Sequence, residues 1–281
     1  MEYTINIKGR LMDLSTPQVM GILNVTPDSF YSGSRKQTEM EIAQRANQII
    51  EEGGSIIDVG AFSTRPGADE VSEEEEGRRL KFALDIVRRE QPDAAVSVDT
   101  YRTTLARKCI EEWGADIIND VSEGGITGIV NVPLEQRQEE YPEMFRVVGE
   151  LKVPYILMSV QPTLAKMMKG FAREVQQLRD LGAKDIILDP GFCFGKNLIQ
   201  NYQIYDEMEK LNVLELPVLV GISRKSMIYK LLGGDATTSL NGTMVLDTIA
   251  LMKGASILRV HDVKEATEAV KIVEAMKEGR V

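Results

Sequence analysis

The chain has 281 residues, of which 43% are apolar, so it can build one large hydrophobic core and is neither disordered nor fibrous. Its 33 basic and 43 acidic side chains give a net charge of −10, which argues against nonspecific binding to nucleic acid or to an anionic membrane. Two cysteines and one histidine are too few for a disulfide framework or a structural zinc site. We therefore expect a soluble, cytoplasmic, unprocessed protein that forms a single domain over residues 1–281.

The first predicted element is a β-hairpin. Apolar and polar residues alternate over residues 4–14, on either side of a turn at Lys8 and Gly9. We expect this hairpin to close the N-terminal end of the domain that follows. After it, short β-type runs alternate with stretches of helical spacing down the whole chain. The eight predicted strands are 19–24, 56–60, 95–99, 117–120, 155–158, 186–189, 218–222 and 257–260.

Seven stretches between the strands carry helical patterns, most of them with apolar residues at three- and four-residue spacing. They are 38–52, 72–89, 104–113, 164–181, 226–232, 239–253 and 263–278. Glycine follows several of them, as a C-terminal cap would. Eight strand–helix units of about 35 residues each match the repeat length of a (β/α)8 barrel. We predict an α/β fold: a (β/α)8 TIM barrel preceded by an N-terminal β-hairpin.

Almost every predicted strand ends on a charged or hydrogen-bonding residue. In a barrel the carboxyl ends of the strands surround one mouth, and alternate side chains point inward. The polar residues at these ends are Asn24, Asp58, Asp99, Asn119, Asp120, Asp189, Ser223, Lys225, Arg259 and His261. Capping of the following helix explains any one Asp or Asn equally well. It does not explain Arg259 and His261 on the same side of one strand, so we expect a site.

The residue types at this mouth indicate two binding functions. Asp99, Asn119 and Asp189 can recognise a flat, nitrogen-rich heterocycle. Donors to an anion are Arg65, Arg259 and His261, with Thr64 as a further candidate. Asn24 is a neutral oxygen ligand for Mg²⁺ shared with phosphate oxygens. The segment 223–226 opens a helix and offers backbone N–H groups as a second anion site. The segment 191–197 is one residue short of a P-loop and carries Asn197 at the metal-binding position, so it predicts no nucleotide site.

Read together, these segments resemble the dihydropteroate synthases, the folate-pathway enzymes that sulfonamides target. The matching segments run in order from the first barrel strand to the last, and the first and the last two are the most specific. They are 20–30, 63–68, 97–100, 117–122, 188–192, 194–196, 221–226 and 259–263.

The resemblance implies a pterin-binding transferase with a TIM-barrel fold. Such an enzyme joins a pterin methyl diphosphate to para-aminobenzoate in an SN1-like reaction, forming dihydropteroate and pyrophosphate, with Mg²⁺ as cofactor. It also implies a homodimer that uses the late helices 239–253 and 263–278, and loops 25–36 and 61–71 that close over the substrates.

The same resemblance implies roles for individual residues. Lys225, Arg259, His261 and Arg65 would be catalytic, and Asn24 would contact the metal. The pterin would be held by Asp99, Asn119, Asp189, Lys225 and Met158, and the diphosphate by Arg65, Thr64, Arg259 and His261. The aminobenzoate site would consist of Phe30, Thr64, Pro66, Phe194 and Ser226. We also expect Lys225 and Arg259 to be rim residues, so that alanine at either position abolishes turnover and leaves the fold intact.

The chain departs from the family pattern in a few places. Met158 is followed by Ser159-Val160-Gln161-Pro162 where the family usually has Met-His-Met, the segment 124–141 is long, and Cys193 stands where glycine is usual. These differences motivate an alternative, a non-catalytic or altered-substrate pterin-binding paralogue. A methyltetrahydrofolate methyltransferase domain is a further alternative, but it leaves Arg259 and His261 without a task.

Overall fold

The structure, a computed structural model, describes residues 3–25, 35–62, 71–124 and 141–279. Ten strands lie in these ranges, and their bounds match the predicted strands closely. They are β1 (Thr4–Ile7), β2 (Arg10–Asp13), β3 (Gln18–Asn24), β4 (Ile56–Gly60), β5 (Ala95–Asp99), β6 (Ile117–Asp120), β7 (Tyr155–Met158), β8 (Ile186–Asp189), β9 (Leu219–Val220) and β10 (Ile257–Val260).

Strands β3 to β10 form the predicted parallel barrel. Each strand pairs with its neighbour in the order β8-β7-β6-β5-β4-β3-β10-β9, and the pairing from β3 to β10 is parallel throughout. A parallel bridge between Leu188 and Val218 brings the two ends of the sheet together. The TIM-barrel prediction is therefore confirmed, and the carboxyl ends of all eight strands open on one side.

Nine α-helices lie in the described ranges. They are α1 (Arg35–Glu51), α2 (Glu73–Glu90), α3 (Thr103–Glu111), α4 (Glu143–Leu151), α5 (Leu164–Asp180), α6 (Leu198–Asp206), α7 (Ser226–Leu232), α8 (Leu240–Met252) and α9 (Val263–Glu278), and a 3-10 helix occupies Met208–Leu214. Seven were predicted, whereas α4 and α6 were not. Gly53, Gly114, Gly182 and Gly254 follow α1, α3, α5 and α8 in the left-handed conformation, as the capping pattern predicts.

The N-terminal hairpin closes the N-terminal end of the barrel, as expected. Ile5, Ile7 and Leu14 are buried against the inward side chains that begin the barrel strands, among them Met20 and Ile56. At the turn, the Lys8 ammonium lies 2.8 Å from the Asp116 carboxylate and also donates to the carbonyl oxygen of Gly114. The hairpin therefore supplies the hydrophobic cover that an open barrel end would lack.

Outward side chains of the strands pack beneath the helices. Strand β3 and helix α1 approach closely at Gly21, where a Cβ atom would lie 2.6 Å from Ile49 of α1. None of the helices in the described ranges is long and apolar enough to cross a membrane.

Candidate active site

Inward positions change from apolar to polar along the barrel axis. The lowest layer is apolar and meets the hairpin; it consists of Met20, Ile56, Ala95, Ile117, Ile156, Ile187, Leu219 and Ile257. Two residues further along the strands, the same inward side carries polar groups, which are Asp58, Ser97, Asn119, Asp189 and Arg259. The mouth therefore has an apolar support and a polar, largely buried floor.

Arg259 lies between two carboxylates on this floor. Its guanidinium Nη2 is 2.6 Å from Asp58 Oδ2 and 2.8 Å from Asp99 Oδ2, and its Nε also donates to Asp58. Asp58 is fully buried and receives the Asn119 side-chain amide at 3.2 Å. Burial by itself would lower the pKa of Arg259, but Asp58 and Asp99 outweigh it and raise that pKa above its ordinary value.

This position differs from the one expected for a rim residue. The Arg259 side chain is only 17% exposed, and its charge compensates buried acids inside the barrel. The structure therefore gives a reason to expect that alanine at Arg259 also destabilises the fold, because the substitution would leave Asp58 buried without its cation.

Asp99 keeps a free acceptor on the mouth side of this cluster. Among the described residues no group forms a hydrogen bond with its Oδ1, while Oδ2 binds Arg259. Burial raises the pKa of Asp99 from 3.8 to about 7, opposed by Arg259 and reinforced by Asp58. The absence of a side chain on Gly60 leaves space here, because a Cβ atom would lie 3.6 Å from Asp99 and 3.2 Å from the Asn24 amide oxygen.

A second group of predicted residues meets on the opposite strands. Asp189 accepts a hydrogen bond from the Gly191 backbone at 2.7 Å, and burial raises its pKa, opposed by Lys225. Burial lowers the pKa of Lys225, opposed by Asp189. The Lys225 ammonium donates to the Phe192 carbonyl oxygen and lies 4.7 Å from the centre of the Phe194 ring.

Met158 joins this group through apolar packing. It is fully buried and packs with Val121 and Val160, and the partly exposed Phe194 ring rests against the same cluster. Met158 ends β7 and pairs in register with Asp189 of β8.

His261 follows β10 and is held by Ser223. The Ser223 hydroxyl accepts from the His261 backbone N–H at 3.1 Å and lies 3.1 Å from the imidazole Nδ1. In the same region Ser226 is the first residue of α7, as predicted. The guanidinium of the neighbouring Arg224 binds Asp262 and two backbone carbonyls, so its N–H groups are not available to a ligand.

The remaining predicted site residues lie outside the described ranges. These are Phe30, Thr64, Arg65 and Pro66. Asn24 is described: it ends β3, is exposed, and directs its amide oxygen toward the space above Gly60.

A magnesium ion fits this arrangement only as a metal shared with a ligand. No group of three or more His, Cys, Asp or Glu side chains in the described ranges could hold a metal ion alone. Mg²⁺ commonly keeps several water ligands and takes the rest from substrate phosphates and one or two protein oxygens. The single neutral oxygen of Asn24 suits that role.

The side chains of three residues make contacts at the site that the sequence did not predict, although Asp58 and Ser223 were expected at the mouth. Asp58 is the buried anion under Arg259, Ser223 supports His261, and Lys196 donates to three backbone carbonyls next to Phe194. The inward parity of β4 was a readable signal for Asp58, since it occupies the same layer as Ser97 of the adjacent strand. Nothing in the sequence showed which groups Lys196 contacts.

Comparison with known proteins agrees with this geometry. A sequence model described as pterin binding enzyme matches residues 20–261. This match covers most of the chain and the whole barrel with its polar mouth, and the chain belongs to the family of pterin-binding enzymes.

Individual relatives narrow the comparison. The dihydropteroate synthase of Escherichia coli is 38% identical over 283 residues, covering 95% of this chain and 94% of the relative. The structure of Xanthomonas albilineans dihydropteroate synthase with 4-aminobenzoic acid superposes with a TM-score of 0.85 at 31% identity, covering 99% of both chains. The same enzyme in complex with 7,8-dihydropteroate gives a TM-score of 0.82 at 29% identity, covering 98% of this chain and 99% of that one.

Proposed function

We propose that this protein is a dihydropteroate synthase. It condenses 6-hydroxymethyl-7,8-dihydropterin diphosphate with para-aminobenzoate and releases pyrophosphate. The observation that carries the proposal is the buried polar floor formed by Asp58, Asp99, Asn119 and Arg259, in a chain 38% identical to a dihydropteroate synthase over nearly its full length.

The floor of the barrel mouth is suited to the pterin. A pterin presents N–H donors and ring-nitrogen and carbonyl acceptors on one edge, and the free Oδ1 of Asp99 and the carboxylate of Asp189 can accept from such donors. Asn119 offers its amide oxygen, and Lys225 offers a donor. Met158 supplies an apolar surface for the ring.

The diphosphate would lie nearer the open end of the mouth. His261 is the described donor there, and Arg65 and Thr64 complete the proposed set. The contact of Ser223 with Nδ1 is compatible with this use of His261: in the tautomer in which the Ser223 hydroxyl donates to Nδ1, the ring proton is on Nε2 and can be donated to an oxygen anion. Arg259 acts from below, through its charge.

Mg²⁺ would be held by diphosphate oxygens and the Asn24 amide oxygen. When bound, it neutralises charge that develops on the departing diphosphate. The fit rests on the exposed position of Asn24 beside the open space above Gly60.

The aminobenzoate would bind between Phe194 and the start of α7. Phe194 offers a partly exposed ring face beside Lys225, and Ser226 begins the helix that would face the carboxylate. Phe30, Thr64 and Pro66 would complete this site.

The chemistry then requires little acid–base work from the protein. The bond between the pterin methylene carbon and the diphosphate oxygen breaks, and the oxygen keeps the electron pair. The cation left on the methylene is stabilised by the electron-rich pterin and by the negative charge of Asp99 and Asp189. The aryl amine nitrogen attacks this carbon and then loses one proton to solvent or diphosphate. An aryl amine is already nucleophilic, so no activated Ser or Cys is needed.

The alternative functions are not favoured. A methyltetrahydrofolate methyltransferase function gives no role to His261, which Ser223 holds in place. Arg259 no longer argues against that function, because it has a structural partner in Asp58. A non-catalytic paralogue was motivated by the changed sequence after Met158, yet Met158 remains packed at the mouth.

Turnover by the purified protein tests the proposal. With the pterin diphosphate, para-aminobenzoate and Mg²⁺ present, we expect release of pyrophosphate and a product with the mass of dihydropteroate. Lys225→Met should lower kcat/KM by about a hundredfold or more. Lys230→Met, at an exposed position on helix α7, which Lys225 directly precedes, is the matched control and should leave kcat/KM unchanged. Absence of pyrophosphate release under all conditions would refute the function.

We also propose a homodimer that uses α8 and α9. Val245 and Met252 are exposed seven residues apart on α8, and Ile272 and Met276 four residues apart on α9, so each helix presents apolar side chains to solvent on one face. A second copy of the chain would cover them. Val245→Glu with Ile272→Glu should convert a dimer to a monomer in analytical ultracentrifugation; a wild-type monomer at micromolar concentration contradicts the proposal.

A cytoplasmic location completes the proposal. Cys109 and Cys193 are both free thiols in the structure, and free thiols persist in a reducing compartment.

A further inference from the structure

Lys196 is a partly buried lysine whose ammonium donors are all used inside the protein. Its ammonium lies 2.8 Å from the carbonyl oxygen of Ser159, 2.9 Å from that of Gly191 and 3.0 Å from that of Phe194. An ammonium has three hydrogens, so each carbonyl receives one. The side chain is therefore committed to the backbone and does not serve a phosphate, although its segment resembles a phosphate-binding loop.

The three carbonyls belong to two loops that border the mouth. Ser159 follows β7, whereas Gly191 and Phe194 lie in the loop after β8. The backbones of these loops touch: a Cβ atom on Gly191 would lie 2.2 Å from the Ser159 oxygen, and one on Gly195 would lie 2.8 Å from the Val160 oxygen. Lys196 thus neutralises three carbonyl dipoles that crowd together where the loops meet.

The loop after β8 carries Phe194. Besides Lys196, the Lys225 ammonium binds this loop at the Phe192 carbonyl oxygen, and the buried Phe192 ring packs against Tyr205. Phe194 N–H donates to Gly191 O at 3.1 Å, and Cys193 N–H donates to the Asn201 side chain at 2.7 Å. Cys193 has a positive φ of 70°, a strained conformation for a residue with a side chain. The Lys196 ammonium is the group that fixes the Phe194 carbonyl, and through it the ring on which the Lys225 ammonium rests.

We propose that Lys196 is a positioning residue for the second substrate: it joins the two loops so that the Phe194 ring forms one wall of the aminobenzoate site. This inference rests on the proposed function, since aminobenzoate is the substrate placed against Phe194. The backbone of Asp189 belongs to strand β8 and is placed by the sheet, and its carboxylate contacts only the start of the loop, through the Gly191 N–H. Loss of Lys196 therefore disturbs the aminobenzoate site more than the pterin site.

Steady-state kinetics of Lys196→Met test this assignment. Methionine keeps the length and removes the three donors. We expect the KM for para-aminobenzoate to rise about tenfold or more, with the KM for pterin diphosphate and the kcat at saturating aminobenzoate within about threefold of wild type. Lys166→Met, at an exposed position on α5, is the matched control and should change neither KM.

A double substitution separates positioning from general support of the fold. If Lys196 acts through Phe194, Phe194→Ala raises the KM for aminobenzoate, and adding Lys196→Met raises it no further. Lys196→Gln serves in place of Lys196→Met if the latter does not fold. Unchanged aminobenzoate KM in the lysine variants, an equal loss in both KM values, or additive effects with Phe194→Ala would overturn the inference. An inactive wild-type enzyme would instead refute the proposed function.

Discussion

Arg259→Met gives the sharpest test of how the barrel floor is stabilised. The substitution removes a guanidinium that lies 2.6 Å from Asp58 and 2.8 Å from Asp99, and Asp58 has no exposed surface. Removing one partner of a buried ion pair costs about 3–5 kcal/mol, because the other charge stays buried without compensation. For a chain of this size each kcal/mol lowers Tm by about 2–4 °C, so we expect a decrease of about 10 °C.

A second substitution identifies the cause of the loss. In the Arg259→Met background, Asp58→Asn removes the uncompensated charge and keeps the side-chain shape, so it should recover about 2 kcal/mol of unfolding free energy. In the wild type the same Asp58→Asn change should destabilise. The assay is urea denaturation at about pH 8, where Asp99 is ionised, repeated at about pH 5.5, where its raised pKa lets it take up a proton and makes the loss smaller.

Two results would contradict a stabilising ion pair between Arg259 and Asp58. If Arg259→Met unfolds within about 0.5 kcal/mol of wild type, Arg259 behaves as a surface residue and the buried pair does not support the fold. If Asp58→Asn adds to the loss instead of reversing part of it, the two side chains do not form a charge pair.

Three further predictions follow from particular contacts. Burial raises the pKa of Asp99 from 3.8 to about 7, so the stability that its protonated form gives the folded state is lost as pH rises across that interval. The affinity for 6-hydroxymethylpterin, measured by calorimetry, should increase through pH 7 as the carboxylate ionises. Asp99→Asn should abolish this pH dependence, and the same pH profile in wild type and Asp99→Asn would contradict the prediction. Ile5→Ala, in the hairpin that closes the N-terminal end of the barrel, should lower the free energy of unfolding by about 2–5 kcal/mol and leave both KM values unchanged. A change in KM would show that the hairpin reaches the site. Gly191→Ala should destabilise by more than about 1 kcal/mol, since φ is +63° and the new Cβ would lie 2.2 Å from Ser159 O; a neutral effect in the same assay would argue against the close loop contact.

The barrel itself was predictable from local patterns. Apolar strand runs and helical spacing repeat along the chain, and each strand's inward face follows from its two-residue period. The two helices that the sequence reading missed, α4 and α6, show why some elements escape. Helix α4 spans only nine residues and includes Gly149, and α6 lacks a clear amphipathic face, although the Asn197–Gln200 capping box marks its start.

The site was predictable as a set of residues and not as a set of partners. Strand ends and parity placed Asp99, Asn119, Asp189 and Arg259 on one inward face, and the resemblance added their expected ligands. Sequence reasoning assigned Arg259 to an anion at the rim, whereas the structure directs it to Asp58 and Asp99.

The sequence by itself thus determined the strands, their order and which side chains enter the mouth, because these depend on the short-range periodicity of the backbone. Only the tertiary structure decided that Arg259 neutralises an acid 201 positions away, and that Lys196 binds the carbonyl oxygen of Ser159, 37 positions away. Those contacts depend on the register and closure of the barrel, which set distances between strands that no local pattern encodes.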